Sequence, residues 1–126
     1  MDAASRLTTV DNDESLLAIL KRNLGADPRL EVVCADADEF LHSLHGEHFD
    51  FIFADTWAGK YRLLPETIEL LSPAGIYVID DMLPHPNWPD GHAEKVAELI
   101  ATLEQTKGLH VTKLSWASGV LLATKL

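Results

Sequence analysis

Hydrophobic and polar residues alternate along this chain with two different periods. Short apolar runs of the kind found in β-strands are separated by segments whose apolar residues recur every three or four positions, as on one face of a helix. The predicted strands are 6–10, 30–34, 49–54, 75–79, 109–114 and 119–124. The predicted helices are about 13–24, 36–44, 62–71 and 91–107. This alternation predicts an α/β fold with a mostly parallel sheet.

The two C-terminal strands break the alternation. Only residues 115–118 separate strand 109–114 from strand 119–124. A parallel connection needs a crossover of about a dozen residues or more, so these two strands are predicted to form an antiparallel hairpin. The sheet is therefore expected to be parallel at first and to end in a hairpin.

Composition narrows the class of protein. The chain has 126 residues, of which 47% are hydrophobic, and this is enough to form one globular domain over residues 1–126. A formal net charge of −10 at pH 7 argues against nucleic acid and anionic membranes as partners. No apolar run approaches the roughly 18 residues of a membrane span and no signal peptide is recognisable, so we predict a cytoplasmic protein. Cys34 is the single cysteine, which excludes an internal disulfide, and it is predicted to be buried.

Acidic residues follow three of the predicted strands. Asp11, Asp55 and the pair Asp80 and Asp81 each come directly after an apolar run. In a parallel α/β sheet, ligands bind outside the carboxyl ends of the strands, so we expect these carboxylates to line one rim that forms the active site. One carboxylate can accept hydrogen bonds from two ribose hydroxyls, and several together suit a hard divalent cation. The adjacent carboxylates of Asp80 and Asp81 repel each other unless a cation or hydrogen-bond donors intervene.

Parallel strands followed by a terminal hairpin resemble the fold of class I S-adenosylmethionine-dependent methyltransferases. The strand-end acids resemble those of the metal-dependent O-methyltransferase branch, which includes catechol and caffeoyl-CoA O-methyltransferases. The resemblance is carried by Thr-Val-Asp at 9–11, Ala-Asp-Ala at 35–37, Phe-Ala-Asp-Thr-Trp at 53–57 with Tyr61, and Ile-Asp-Asp-Met at 79–82. It implies a Rossmann-like methyltransferase fold and methyl transfer from S-adenosylmethionine to a hydroxyl of a small-molecule acceptor.

The resemblance also implies cofactor-binding residues. Asp11 would accept hydrogen bonds from both ribose hydroxyls, Asp36 and Ala37 would lie against the adenine, and Asp55 and Trp57 would complete the set. Each residue type also has a structural explanation. Asp11 suits an acidic cluster at a helix start, Asp36 suits an N-cap, and Trp57 suits simple packing, so these alternatives stay open.

A metal site is implied in the same way. Asp55, Asp80 and Asp81 would hold Mg²⁺ or another divalent cation, which would lower the pKa of the acceptor hydroxyl and fix its oxygen in line with the methyl group. Lys60 is the nearest match to the family's catalytic lysine and is the predicted base. His85 also lies near the acidic pair, where an exposed loop position is the alternative to a role as a ligand or base.

One part of the family pattern is missing from the sequence. The first strand of the fold and its Gly-rich turn would precede Arg6, but five residues lie there and the chain contains no Gly-x-Gly. We therefore expect an N-terminally truncated domain with weak or no methyl transfer. In the family fold the missing strand separates strands 6–10 and 49–54. Either these two strands pair directly, or a partner chain or second copy completes the sheet, or the sequence is a fragment of a longer protein.

Two other functions remain open. A nucleotide-binding, reductase-like domain would use Asp11 to hold the ribose of NAD, although the terminal hairpin counts against it. A non-catalytic binding or assembly module would use an exposed sheet edge to recruit a strand from a partner.

Overall fold

Six strands and four helices make up the chain in a computed structural model, which describes residues 2–126. In chain order they are β1 (Leu7–Asp11), α1 (Glu14–Leu24), β2 (Leu30–Cys34), α2 (Ala37–Ser43), β3 (Phe49–Ala54), α3 (Leu64–Glu69), β4 (Leu71–Ile79), α4 (His92–Gln105), β5 (Leu109–Leu114) and β6 (Val120–Lys125). They are grouped in two compact units, the first ending at Ser43 and the second spanning Leu44–Leu126. A single domain over residues 1–126 therefore stays a prediction.

The first unit is a parallel strand pair with two helices. β1 and β2 pair in parallel, with Asp11 opposite Cys34 at their carboxyl ends. Asp13 caps α1, because its carboxylate accepts the backbone N–H groups of Ser15 and Leu16. Asp36 performs the same task for α2. Helix starts leave N–H groups without partners, and Asp supplies the missing acceptor.

The second unit contains a four-stranded sheet in the order β3-β4-β6-β5. β3 and β4 are parallel, whereas β6 is antiparallel to both β4 and β5. The predicted C-terminal hairpin and the change from parallel to antiparallel pairing are confirmed. The core combines strand and helix residues that are fully or almost fully buried, chiefly Leu71, Tyr77, Ile79, Val96, Leu99, Leu103 and Leu121.

The strands of the two units form separate sheets. Within residues 2–126, β1 is hydrogen-bonded to β2 alone and β3 to β4 alone. Of the three alternatives for the missing strand, direct pairing of strand 6–10 with strand 49–54 is therefore not observed within residues 2–126. Each sheet has an outer strand, β1 and β3, with one edge that no described strand covers.

Two boundaries and one burial prediction need correction. The third helix covers Leu64–Glu69 instead of 62–71, because Leu63 has a left-handed backbone with φ of 56°. β4 begins at Leu71 instead of residue 75, and its pairing with β3 shifts register near Ala74, whose φ is 64°. Cys34 is exposed. It is the last residue of a strand that pairs with β1 alone, so little covers its side chain. None of the described helices is long and apolar enough to cross a membrane.

Candidate functional site

The first unit carries the predicted ribose and adenine residues at the carboxyl ends of its two parallel strands. Asp11 is the last residue of β1, and its backbone carbonyl accepts the N–H of Ala35 at 3.1 Å. Asp36 and Ala37 follow immediately, where α2 begins. The structure therefore brings these three predicted cofactor residues to one edge of the two-stranded sheet.

The two carboxylates at this edge both accept backbone N–H groups through Oδ1, and both keep Oδ2 free of hydrogen bonds within residues 2–126. Asp36 Oδ1 accepts the N–H groups of Asp38 and Glu39 at 2.9 and 3.1 Å, so Asp36 is an N-cap. Asp11 Oδ1 accepts the N–H of Asp13 at 2.7 Å, whereas Oδ2 accepts no hydrogen bond within residues 2–126. Asp11 can therefore serve the start of α1 and still accept a hydroxyl group. This fits the ribose of an adenosyl cofactor.

The second unit carries the other strand-end acids. Asp55 follows β3 and is exposed, and Asp80 follows β4. The N–H of Asp80 donates to the carbonyl of Ala54 at 3.2 Å, which continues the parallel pairing of the two strands to their ends. Asp55 and Asp80 therefore lie at the same edge of the four-stranded sheet, as the sequence predicted.

Asp80 is held by the turn between β5 and β6. Its Oδ1 accepts the hydroxyl of Ser118 at 2.5 Å and the backbone N–H of Asp81 at 2.8 Å. The hydrogen bond from Ser118 is the main reason why the pKa of Asp80 is lowered, because hydrogen bonds to the charged form favour ionisation.

Asp81 is held by the loop that follows it. The indole Nε1–H of Trp88 donates to both Oδ1 and Oδ2 at 3.0 Å. His85 Nε2 lies 3.4 Å from Oδ1, and His92 Nε2 lies 4.0 Å from Oδ2. The backbone of Asp81 is left-handed with φ of 62°, a conformation that Asp tolerates better than most residues.

Lys60 is buried beneath the acidic pair. The side chain is 4% exposed, and its Nζ donates to the backbone carbonyl of Asp80 at 2.6 Å. Burial lowers the pKa of Lys60, while the carboxylates of Asp81, Asp55 and Asp80 oppose that shift. The loop carrying Lys60 is anchored by Tyr77, whose hydroxyl donates to the carbonyl of Gly59 at 2.7 Å.

Aromatic rings surround this edge of the second unit. Trp57 and Tyr61 pack edge to face with ring centroids 5.4 Å apart, and Trp88 and His92 do the same at 4.6 Å. The ammonium group of Lys95 lies 4.4 Å from the centroid of Trp57. A cavity of about 460 Å³ opens here. Its lining residues are Trp57, Lys60, Tyr61, Arg62, Leu64, Lys95, Glu98, Leu99 and Thr102.

Sequence reasoning missed two residues of this arrangement. His92 begins α4, is 7% exposed and has its Nε2 3.4 Å from the Tyr61 hydroxyl, with no partner for Nδ1 within residues 2–126. Its spacing of four residues from Trp88 is the one signal in the sequence. Ser118 was missed because nothing local links it to Asp80, 38 residues earlier.

Hydrogen bonds within the chain involve two of the residues of the predicted metal site. Two of the three predicted ligands, Asp80 and Asp81, already accept hydrogen bonds from Ser118 and Trp88. Among residues 2–126 no group of three or more His, Cys, Asp or Glu side chains is arranged to hold a metal ion. Both hydrogen bonds to Asp80 end on Oδ1, so the donors restrict the acidic pair without occupying all of its oxygens, and a cation at Asp55, Asp80 and Asp81 stays a prediction.

Comparison with known proteins shows which family the chain matches. A family model described as a methyltransferase domain matches residues 1–82. No curated protein matches the sequence.

Solved structures share the fold at low sequence identity. The O-methyltransferase TomG from Streptomyces achromogenes, in complex with SAM, is 19% identical with a TM-score of 0.80 over 99% of this chain and 64% of TomG. An O-methyltransferase from Bacillus cereus, in complex with SAH, is 17% identical with a TM-score of 0.80 over 100% of this chain and 65% of its own. The SAH-bound methyltransferase PaMTH1 from Podospora anserina is 21% identical with a TM-score of 0.78, covering 96% and 61%. The Rossmann-like methyltransferase fold is confirmed, and the chain spans less than two thirds of these proteins.

Proposed function

We propose that this chain, which belongs to the methyltransferase domain family, is part of an enzyme that transfers a methyl group from S-adenosylmethionine to a hydroxyl of a small molecule. The observation that carries the proposal is Asp11. It ends a parallel strand inside the family match, and it keeps a carboxylate oxygen for a ligand. Two structural neighbours that contain SAM or SAH are O-methyltransferases, which supports both the cofactor and the choice of oxygen as acceptor atom.

The cofactor is proposed to bind through its adenosine part in the first unit. Asp11 Oδ2 accepts a ribose hydroxyl, and the peptide at Asp36 and Ala37 borders the adenine. Asp55 and Trp57 stay predicted cofactor residues that rest on the family resemblance alone. When bound, S-adenosylmethionine supplies a sulfonium methyl group that an oxygen nucleophile attacks.

Lys60 is proposed as the base for the acceptor. The acceptor oxygen forms a bond to the methyl carbon as the carbon–sulfur bond breaks, and the hydroxyl proton goes to the Lys60 amine. A base must be neutral to accept a proton, and burial lowers the pKa of Lys60 in the direction that increases its neutral fraction. The bond to the Asp80 carbonyl fixes the position of Nζ.

Metal assistance, which the sequence predicted, is not part of this proposal. The carboxylates of Asp80 and Asp81 are engaged by Ser118 and Trp88. No step of the proposed reaction is therefore assigned to a cation.

A non-catalytic, strand-recruiting module is the second candidate. The specific observation is the edge of β3, which no described strand covers and which carries exposed Phe51 and Phe53, 57% and 56% exposed. Uncovered strand edges recruit other strands. Analytical ultracentrifugation tests this candidate. If copies of the chain recruit strands from one another, the sedimenting mass should rise above that of a monomer as the protein concentration increases. The reductase-like alternative is set aside because the family match is to methyltransferases.

Titration with S-adenosylhomocysteine tests the methyltransferase proposal. Asp11→Asn keeps the size of the side chain and an acceptor for the Asp13 N–H, but it removes the charge. Loss of a charge-assisted hydrogen bond is worth roughly tenfold or more in affinity, so calorimetry should show that weakening for Asp11→Asn. Asp50→Asn, an exposed acid within β3, is the matched control and should bind like the parent chain. Equal affinity of all three proteins would refute the assignment of Asp11.

A further inference from the structure

The geometry points to Asp81 as an anchor for the loop of residues 82–91, through Trp88, instead of a ligand for a cation. We infer that the Asp80 and Asp81 pair serves two loops: Asp80 holds the turn before β6 through Ser118, and Asp81 holds the loop before α4 through Trp88. This inference does not depend on the proposed methyl transfer. It concerns where the donors to the two carboxylates come from.

The contact between Asp81 and Trp88 involves both oxygens of the carboxylate. The indole N–H is equidistant from Oδ1 and Oδ2, at 3.0 Å from each. A hydrogen bond to a charged acceptor is roughly twice as strong as one between neutral groups. The backbone of Asp81 is left-handed, and Asp81 is the second residue after the end of β4 at Ile79.

The indole ring of Trp88 is fixed from its other sides as well. The His92 ring packs against it with centroids 4.6 Å apart, and the His85 ring does so at 6.1 Å. The backbone N–H of Trp88 donates to the carbonyl of His85 at 3.1 Å. Both ring contacts and the hydrogen bond to Asp81 thus hold one side chain near the middle of the loop.

The loop is restrained at its start by the turn that Asp80 holds. The N–H of Met82 donates to the carbonyl of Gly119 at 3.0 Å, and the N–H of Leu83 donates to the carbonyl of Ser118 at 2.8 Å. Three prolines restrict the rest of the loop, because each fixes its own φ angle. These prolines are Pro84, Pro86 and Pro89. A loop restrained in this way loses little further freedom when Trp88 binds Asp81.

This arrangement explains how two adjacent carboxylates are tolerated. Neighbouring acids are unfavourable unless donors or a cation neutralise them. Ser118 donates to Asp80 and Trp88 donates to Asp81, while Nζ of Lys60 donates to the Asp80 carbonyl beneath them. The chain itself therefore supplies donors to both carboxylates.

Nuclear magnetic resonance of the tryptophan indole N–H groups tests this inference. Three tryptophans give three resonances, and Trp116, which is 73% exposed, is the internal control. We expect solvent exchange of the Trp88 indole proton to be slower than that of Trp116 by about tenfold or more, as for a hydrogen bond to a charged group. Asp81→Asn should retain this protection, because the amide oxygen still accepts. Asp81→Gly tolerates the left-handed backbone but has no acceptor, so protection should fall by about tenfold.

Titration with Mn²⁺ separates the anchor from a metal ligand. A paramagnetic ion bound at Asp81 would broaden the Trp88 indole resonance selectively. We expect no selective broadening relative to Trp116 up to millimolar Mn²⁺ in the parent chain. The inference would be overturned if the Trp88 indole resonance broadened saturably below millimolar Mn²⁺ in the parent chain and did not broaden in Asp81→Asn. Unchanged protection of Trp88 in a folded Asp81→Gly protein would overturn it as well.

Discussion

Two glycines with nearly the same backbone conformation offer a sharp test of how the turn before β6 is built. Gly119 has φ of 86° and Gly108 has φ of 83°. A Cβ atom added to Gly119 would lie 2.5 Å from both Cγ and the backbone N of Leu83, whereas one added to Gly108 would meet nothing within 4 Å. Alanine at either position therefore has the same backbone strain, and only Gly119→Ala adds a clash.

The expected magnitudes follow from these two terms. An L residue in the left-handed region costs about 1–2 kcal/mol, so Gly108→Ala should lower the free energy of unfolding by that amount. Overpacking costs about 1–3 kcal/mol more, so Gly119→Ala should lose about 2–5 kcal/mol in total. The clash is hard to relieve, because the N–H of Leu83 is hydrogen-bonded to the carbonyl of Ser118 at 2.8 Å.

Urea unfolding followed by circular dichroism measures the difference between the two variants. The free energy of unfolding is obtained by linear extrapolation for the parent chain and for each variant, with the slopes compared to confirm that the unfolded states match. Equal losses for Gly108→Ala and Gly119→Ala would refute the reasoning. That result would mean that the turn and Leu83 can separate without loss, and it would weaken the role assigned to Ser118 at Asp80.

Two further predictions concern one hydrogen bond in each unit. Tyr77→Phe leaves the buried carbonyl of Gly59 without its donor and should cost about 1–3 kcal/mol in urea unfolding, whereas Tyr61→Phe, whose hydroxyl makes a contact of 3.4 Å, should cost less than about 0.5 kcal/mol. Equal costs would show that the Tyr77 bond is not special. The pKa of Asp27 is lowered mainly by hydrogen bonds from the Arg29 side chain, so its carboxylate favours folding above its ordinary pKa and loses that effect as pH falls through the lowered value. Arg29→Gln should raise the Asp27 pKa toward its ordinary value in a carbon-detected titration, and an unchanged pKa would contradict the assigned cause.

The strands and the hairpin could be predicted because local pattern determines them. Alternation of apolar residues and the short connection before β6 are visible within a few residues of sequence. The boundary between α3 and β4 was missed because it depends on left-handed backbone at Leu63 and Ala74, two residue types that rarely adopt it. Cys34 was expected to be buried from its apolar neighbours, but burial depends on what covers the strand end, and local sequence does not contain that information.

The candidate site divides in the same way. The acids at the strand ends were predictable, since a strand followed by Asp is a local pattern. What those acids bind was not, because Ser118 and Trp88 approach Asp80 and Asp81 from other loops. Whether a carboxylate at a strand end binds a ligand or a donor from the chain itself therefore depends on the tertiary structure. Asp11 shows both outcomes at once, with one oxygen on the Asp13 N–H and the other free of hydrogen bonds within residues 2–126.

Lys60 connects these observations to the chemistry proposed for the second unit. A lysine that is 4% exposed pays a desolvation cost, and its bond to the Asp80 carbonyl together with the nearby carboxylates offsets part of it. Ser118 and Trp88 donate to Asp80 and Asp81 without removing their negative charges, and the hydrogen bond from Ser118 favours the ionised form of Asp80. The nearby carboxylates therefore still raise the pKa of Lys60, but burial lowers it by more. The proposed role of Lys60 as a base thus depends on the desolvation of its amine, which outweighs the attraction of the acidic pair for the ammonium form.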